Sequence, residues 1–139
     1  RVIEAEVIRL IDDAGALRGE WAVKSGAAVL TMFDKAARPR FRAQVGIYPS
    51  VTLIDEQGVE RIELFDAPDE TVMRFRDSKD VSRLYAQLSS DASLSLARPN
   101  GTTGVLLSIS NQGVARLITS DSEGKPLWNS PQEQPRNDK

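Results

Sequence analysis

Neither cysteine nor histidine occurs anywhere in the 139 residues. The first absence excludes disulfide staples, a cysteine-based zinc site and a thiol nucleophile. The second removes the commonest general base and metal ligand. Aromatic residues are scarce, at 6%. Positive charge is not in excess either: the formal net charge is −2 and the sequence pI about 5.2, which speaks against a general nucleic-acid binder. No apolar run approaches the length needed to cross a bilayer, and no signal-peptide pattern is visible. The chain begins at Arg1 rather than Met, as a trimmed or mature form would.

What is present is a six-fold internal repeat. Each unit turns on an apolar-x-apolar-x-Asp-x-x-Gly pattern anchored at Asp12, Asp34, Asp55, Asp77, Arg98 and Asp121, which stand 22, 21, 22, 21 and 23 residues apart. A fixed period of this kind sets the architecture. Three residues after the anchor come Gly15, Ala37, Gly58, Asp80, Gly101 and Gly124. Glycine there accepts the positive φ that closes a short hairpin, while the anchor aspartate bonds its own backbone two residues on. Pro99 and the following GTTG predict a wider loop in the fifth unit.

Outward from each turn the apolar residues alternate, the mark of a half-buried strand. If each anchor faces the residue five later, Met32 lies opposite Phe41, Leu30 opposite Ala43, Leu53 opposite Ile62, Val51 opposite Leu64 and Phe75 opposite Leu84. All then fall on one dry face. Arg9 opposite Glu20, Thr31 opposite Arg42 and Thr52 opposite Glu63 form a wetter one. The segment Ser78 to Ser89 has helical spacing too, but the register makes it a strand.

Twelve short strands with short connections imply an all-β antiparallel meander. Such a ribbon runs about 58 Å by about 23 Å and carries a dry face on the order of 1,300 Å², more than a soluble monomer leaves uncovered. No helix is available to cover it. The sheet must close as a barrel, fold over as a sandwich, or pack against copies of itself. The third suits a long regular ribbon, and three sheets around a three-fold axis would form a trimeric β-prism. The repeat domain spans residues 1–128, and the polar, proline-containing segment 129–139 is expected to be a disordered tail.

Chemistry is sparse. The carboxylates available for acid/base work are Asp12 and Asp13; Asp66, Asp69 and Glu70; and Asp121 and Glu123. As solvated turn residues they lack the pocket that raises one pKa of a catalytic pair. Successive turns on one edge lie about 9.6 Å apart, too far to share a calcium ion whose ligands sit within about 2.6 Å. Trp21, Phe41, Phe75 and Trp128 all fall in the dry column, so they read as core rather than as a sugar platform. The GTTG loop near Asn100 lacks phosphate-cradle spacing. Arg18, Arg40, Arg61 and Arg83 stand six after their anchors. The first three would lie across from Ile11, Phe33 and Ile54, on the wetter face. Interspersed Glu20, Glu60 and Glu63 dilute their charge as a ladder for an anionic polymer.

Units such as LTMFDKAARPRFRAQV and VTLIDEQGVERIELF, closing on Asp121, Gly124, Lys125 and Trp128 in DSEGKPLWNSP, resemble repetitive bacterial β-repeat proteins of unassigned function. The resemblance covers about residues 3–130; it departs in lacking the tyrosine before the anchor and in the fifth unit. It implies an N-terminal membrane tether and an extracytoplasmic position. The turns are similar, more distantly, to the tyrosine–aspartate repeats of bacterial polymorphic toxins. The expectation is thus a non-catalytic structural or adhesive module, a cell-envelope stalk or spacer. It needs no cofactor or metal, binds no nucleic acid and has copies of itself as partners, a trimer first. A carbohydrate- or lipid-binding barrel or sandwich is the alternative, and a glycosidase-like enzyme the third.

Overall fold

The computed structural model describes residues 5–130. Twelve strands follow one another: β1 (Val7–Ile11), β2 (Leu17–Lys24), β3 (Ala27–Phe33), β4 (Pro39–Val45), β5 (Ser50–Ile54), β6 (Glu60–Ala67), β7 (Glu70–Arg76), β8 (Ser82–Leu88), β9 (Ala92–Ala97), β10 (Thr103–Ile109), β11 (Ala115–Ser120) and β12 (Pro126–Ser130). They form a single antiparallel sheet in sequence order, with β1 and β12 as free edges. The segment with helical spacing is β8. Asn129 and Ser130, assigned to the tail by composition, close β12; residues 131–139 lie outside the described range.

The barrel and the single-chain sandwich do not form. Each strand contacts only its sequence neighbours, so the sheet neither closes nor folds onto itself. The cause is local. Every connection is a tight turn that returns the chain beside the strand just completed, and none is long enough to carry it across to a second layer.

The six anchored turns share one closure. The Asp12 amide donates to the Ala16 carbonyl (3.0 Å) and the Gly15 amide to the Asp12 carbonyl (3.0 Å). The same two bonds recur at Asp34, Asp55, Asp77, Arg98 and Asp121. The third residue after each anchor has positive φ, including the non-glycines Ala37 (57°) and Asp80 (61°). The fifth turn is therefore not wider: Pro99 occupies the position where its fixed φ suits a type I turn, and Arg98–Thr102 closes at 2.9 Å like the others.

The predicted facing pairs are all present: Met32 with Phe41, Leu30 with Ala43, Leu53 with Ile62, Val51 with Leu64, Phe75 with Leu84, and Arg9 with Glu20. The arginine column is different. The register slips once beside every anchored turn, so that Ile11 pairs with Leu17, Phe33 with Pro39 and Ile54 with Glu60. Arg18, Arg40 and Arg61 are thus the extra residue of a β-bulge, not cross-strand partners; Arg83, Gly104 and Leu127 hold the same place in the later hairpins. A bulge re-aims its side chain, and here it turns the arginine toward the turn.

The two faces also differ from expectation in burial. Seven of the eight buried residues among those described (Ala22, Val29, Thr31, Thr52, Ile54, Val72 and Ser120) lie on the polar face; the eighth, Gly19, lies on the apolar face beneath the Leu10 side chain. On the polar face, long side chains lie over short neighbours: Thr31 sits between Glu20 and Arg42, Thr52 between Arg42 and Glu63, and Val72 (1% exposed) between Phe65 and Gln87. The stems of such residues cover apolar surface while their heads stay wet. The face expected to be dry has no such canopy and stands exposed in the single chain.

Candidate functional site: an apolar face and a ladder of turns

Two unbroken rows cross the apolar face. One runs Leu10, Gly19, Met32, Phe41, Leu53, Ile62, Phe75, Leu84, Leu96, Val105, Thr119, Trp128. The other runs Ile8, Trp21, Leu30, Ala43, Val51, Leu64, Met73, Ala86, Leu94, Leu107, Leu117, Ser130, through the same pairings. No charged residue stands in either row, and only Gly19, Thr119 and Ser130 are not apolar. Trp21 is 58% exposed and Trp128 44%. Of the aromatic residues read from sequence as core, these two are thus exposed in the single chain, while Phe41 and Phe75 are half-buried. Ala43, Val51, Leu64, Met73 and Ala86 line an open depression of about 570 Å³, where the two alanines leave room beside larger neighbours.

The polar face carries an ion network instead. Lys24 and Arg9 grip Glu20 (2.7 and 3.2 Å) and hold its carboxyl below the ordinary value. Arg74 and Arg76 share Glu63 (3.2 and 3.3 Å), and Arg74 stacks over Tyr85 at 5.3 Å. The contacts are partly exposed, and ion pairs of this kind add little to stability by themselves. Their effect here is to shield the short residues beneath.

Along one edge the bulge arginines form a ladder. Asp12 Oδ1 accepts the amides of Ala14 (3.1 Å) and Ala16 (2.8 Å), and its Oδ2 accepts Arg18 Nε at 2.7 Å. Arg18 Nη1 then donates to the Asp34 carbonyl of the next hairpin (2.7 Å). Arg40 Nε reaches the Ile54 carbonyl (2.9 Å), Arg61 Nη1 the Arg76 carbonyl (3.5 Å) and Arg83 Nε the Ala97 carbonyl (2.7 Å). Each arginine so ties its own turn to the following one. In the second unit Arg38 shares the work, gripping Asp34 Oδ2 at 2.9 Å.

The fifth unit inverts the chemistry. Arg98 replaces the anchor aspartate, and its guanidinium bonds the Thr103 and Ser120 carbonyls, the latter in the next hairpin. The bulge residue is then Gly104, where a Cβ would come within 3.2 Å of Arg98 Nη1. An arginine that ties one turn to the next is thus present in each of the first five hairpins; in the fifth only its point of attachment changes. The sixth unit, the last among the described residues, carries the exposed Leu127 at the bulge. The arginine column, read from sequence as cross-strand partners on the wetter face, is thus a set of staples. The constant offset from the aspartate was the available signal.

These bonds set the acidity of the anchors. At Asp34 partial desolvation pushes the carboxyl up, but the Arg38 amide, the Arg38 guanidinium and the Ala36 amide outweigh it and hold the group at about 2. Asp12 is lowered by the Ala16 amide first, Asp77 by the Lys79 amide first. At Asp55 desolvation is likewise overcome by the amides of Val59 and Gln57 and by Arg61. An anchor so lowered is a poor proton donor near neutral pH. Among the other acidic residues considered, Asp66 accepts the Thr71 hydroxyl and Glu70 the Gln87 amide (2.8 Å). Among the described residues no three acidic side chains converge as a metal site. The repeat pattern also passed over a turn on the opposite edge, where Ser110–Val114 uses the anchored closure with Gly113 at φ 78° and Asp91 Oδ1 accepts the Asn111 amide. Compared with protein-family models and with curated proteins, the chain matches none.

Proposed function

We propose that this chain is a non-catalytic structural module that works by self-association, its apolar face covered by copies of itself, in the manner of a stalk, spacer or adhesive element. The observation that carries the reading is the pair of charge-free rows running across all twelve strands and standing open to water in the single chain. A surface about 58 Å long and about 14–20 Å wide amounts to on the order of 1,000 Å². A monomer seldom leaves such a patch bare, and a stable interface covers about 800 Å² on each partner. The turn staples support the same reading. They couple each hairpin to the next along one edge, so that the twelve strands carrying the rows are tied together beyond their backbone pairing.

A position outside the cytoplasm, by a tether preceding these residues, belongs to the same proposal and rests on the resemblance alone. Ligand binding within the chain is less favoured, because the apolar depression is open rather than enclosed. Size-exclusion chromatography with light scattering tests the proposal. A particle of two or more copies of the 15.3 kDa chain is expected; a monomer at every concentration up to the millimolar range would end it.

A further inference from the structure

On four strands the two apolar rows set a large side chain beside a small one. On β2 the row positions are Gly19 and Trp21; on β4, Phe41 and Ala43; on β12, Trp128 and Ser130. On β8 they are Leu84 and Ala86. No strand places two small residues on this face, and three of its four aromatic residues share a strand with glycine, alanine or serine. The small positions fall in both rows, so the rows compensate each other rather than one being uniformly thin.

At Gly19 the space is taken within the sheet, since Leu10 stands 3.0 Å from where a Cβ would lie; at Ala43 and Ala86, which line an open depression, compensation has no use within a single sheet. It has a use when one row faces the other. Two sheets pack about 10 Å apart, and an even layer of that depth needs a large side chain above each small one. A two-fold axis running along the ribbon, midway between the rows, supplies this. It lays each strand over the same strand of a second copy, with the first row above the partner's second. Ala43 then faces the partner's Phe41, Ala86 the partner's Leu84, and Ser130 the partner's Trp128. A two-fold axis along the strands would instead set β4 over the partner's β9, where Ala43 and Phe41 meet only leucines. A three-fold axis would set the faces at an angle to one another instead of laying one row flat on the other.

Resting on the self-association proposed above, we infer that the occupant of the apolar face is a second copy of this chain, packed face to face in a two-fold dimer with every strand in register on its own counterpart. The interface is isologous and closed, and the ribbon length sets its extent.

A volume swap tests the register. Phe41→Ala and Ala43→Phe are each expected to raise the dimer dissociation constant at least tenfold, measured by light scattering over a dilution series. The double variant restores one large and one small residue to the level and is expected within about threefold of the unaltered chain. Leu84→Ala, Ala86→Leu and their double repeat the test on β8, should a β4 variant fail to give the far-ultraviolet circular dichroism of a sheet. A mass of three copies, or doubles no better than the worse single on both strands, overturns this inference and leaves self-association standing. A monomeric mass throughout overturns both.

Discussion

Replacing Leu53 by aspartate separates the covered from the bare apolar face by its magnitude. Leu53 lies between Phe41 and Ile62 in the first row and is 41% exposed in the single chain. Burying a leucine fully is worth about 1.5–3 kcal/mol, so a bare face loses roughly 1–2 kcal/mol of fold stability while the new carboxylate leans into water. A covered face responds differently. Neither row holds a cation, so the carboxylate is buried without a partner, at an effective cost of about 3 kcal/mol or more per copy. Two-fold symmetry doubles this to roughly 6 kcal/mol per dimer, a weakening of about ten-thousandfold. The assay is sedimentation equilibrium with circular dichroism on the same samples. A folded, monomeric Leu53→Asp chain is the expected result; an assembly of unchanged mass and affinity would refute the reasoning. Thr52 looks like the natural control from the pattern, yet the structure buries it between Arg42 and Glu63. Ser108→Asp serves instead, because Ser108 lies on the polar face directly opposite Arg116, and the new pair should leave both fold and assembly within about 1 kcal/mol.

Three further outcomes follow from the turns. The Asp34 carboxyl is depressed from its ordinary 3.8 to about 2, so its stabilising contribution is present above about pH 4 and lost as pH falls through about 2; Asp34→Asn should remove that acid-side dependence from a circular-dichroism titration, and an unchanged profile would count against the staple. Arg98→Asp with Gly104→Arg rebuilds in the fifth hairpin the arrangement of the first four and is expected to raise Tm by roughly 2–4 °C, whereas Gly104→Arg alone crowds Arg98 and should lower it in a calorimetric scan. Ala37→Gly relieves a positive φ of 57° and should stabilise by about 1 kcal/mol in urea unfolding; no gain there would mean the turn tolerates the methyl without strain.

The register was legible because two independent constraints agree. Period-two alternation assigns each side chain to a face, and a turn residue of fixed offset pins which residues meet, so Leu53 with Ile62 and Phe75 with Leu84 could be named in advance. The bulge was not legible. An arginine six after the anchor fits an in-register strand as well as an extra residue, and only the hydrogen bonds of Arg18 to Asp12 and Asp34 distinguish the two. Nor was the distribution of burial. Alternation ranks residues by polarity, whereas Thr31 and Val72 are covered because their cross-strand neighbours are long. In the fifth turn Pro99 reads as an interruption, although proline suits the place it occupies. The one-layer sheet itself follows from turns too short to cross to a second layer, a constraint present in the spacing but overlooked while barrel and sandwich stayed open.

The two tryptophans of the chain, Trp21 and Trp128, both stand on the apolar face, which makes them reporters of whether it is covered. Intrinsic fluorescence with acrylamide quenching, followed from millimolar to nanomolar protein, measures this directly. Blue-shifted, poorly quenched emission at high concentration that moves to the red as the assembly dissociates is the predicted result; red, freely quenched emission at every concentration would contradict it.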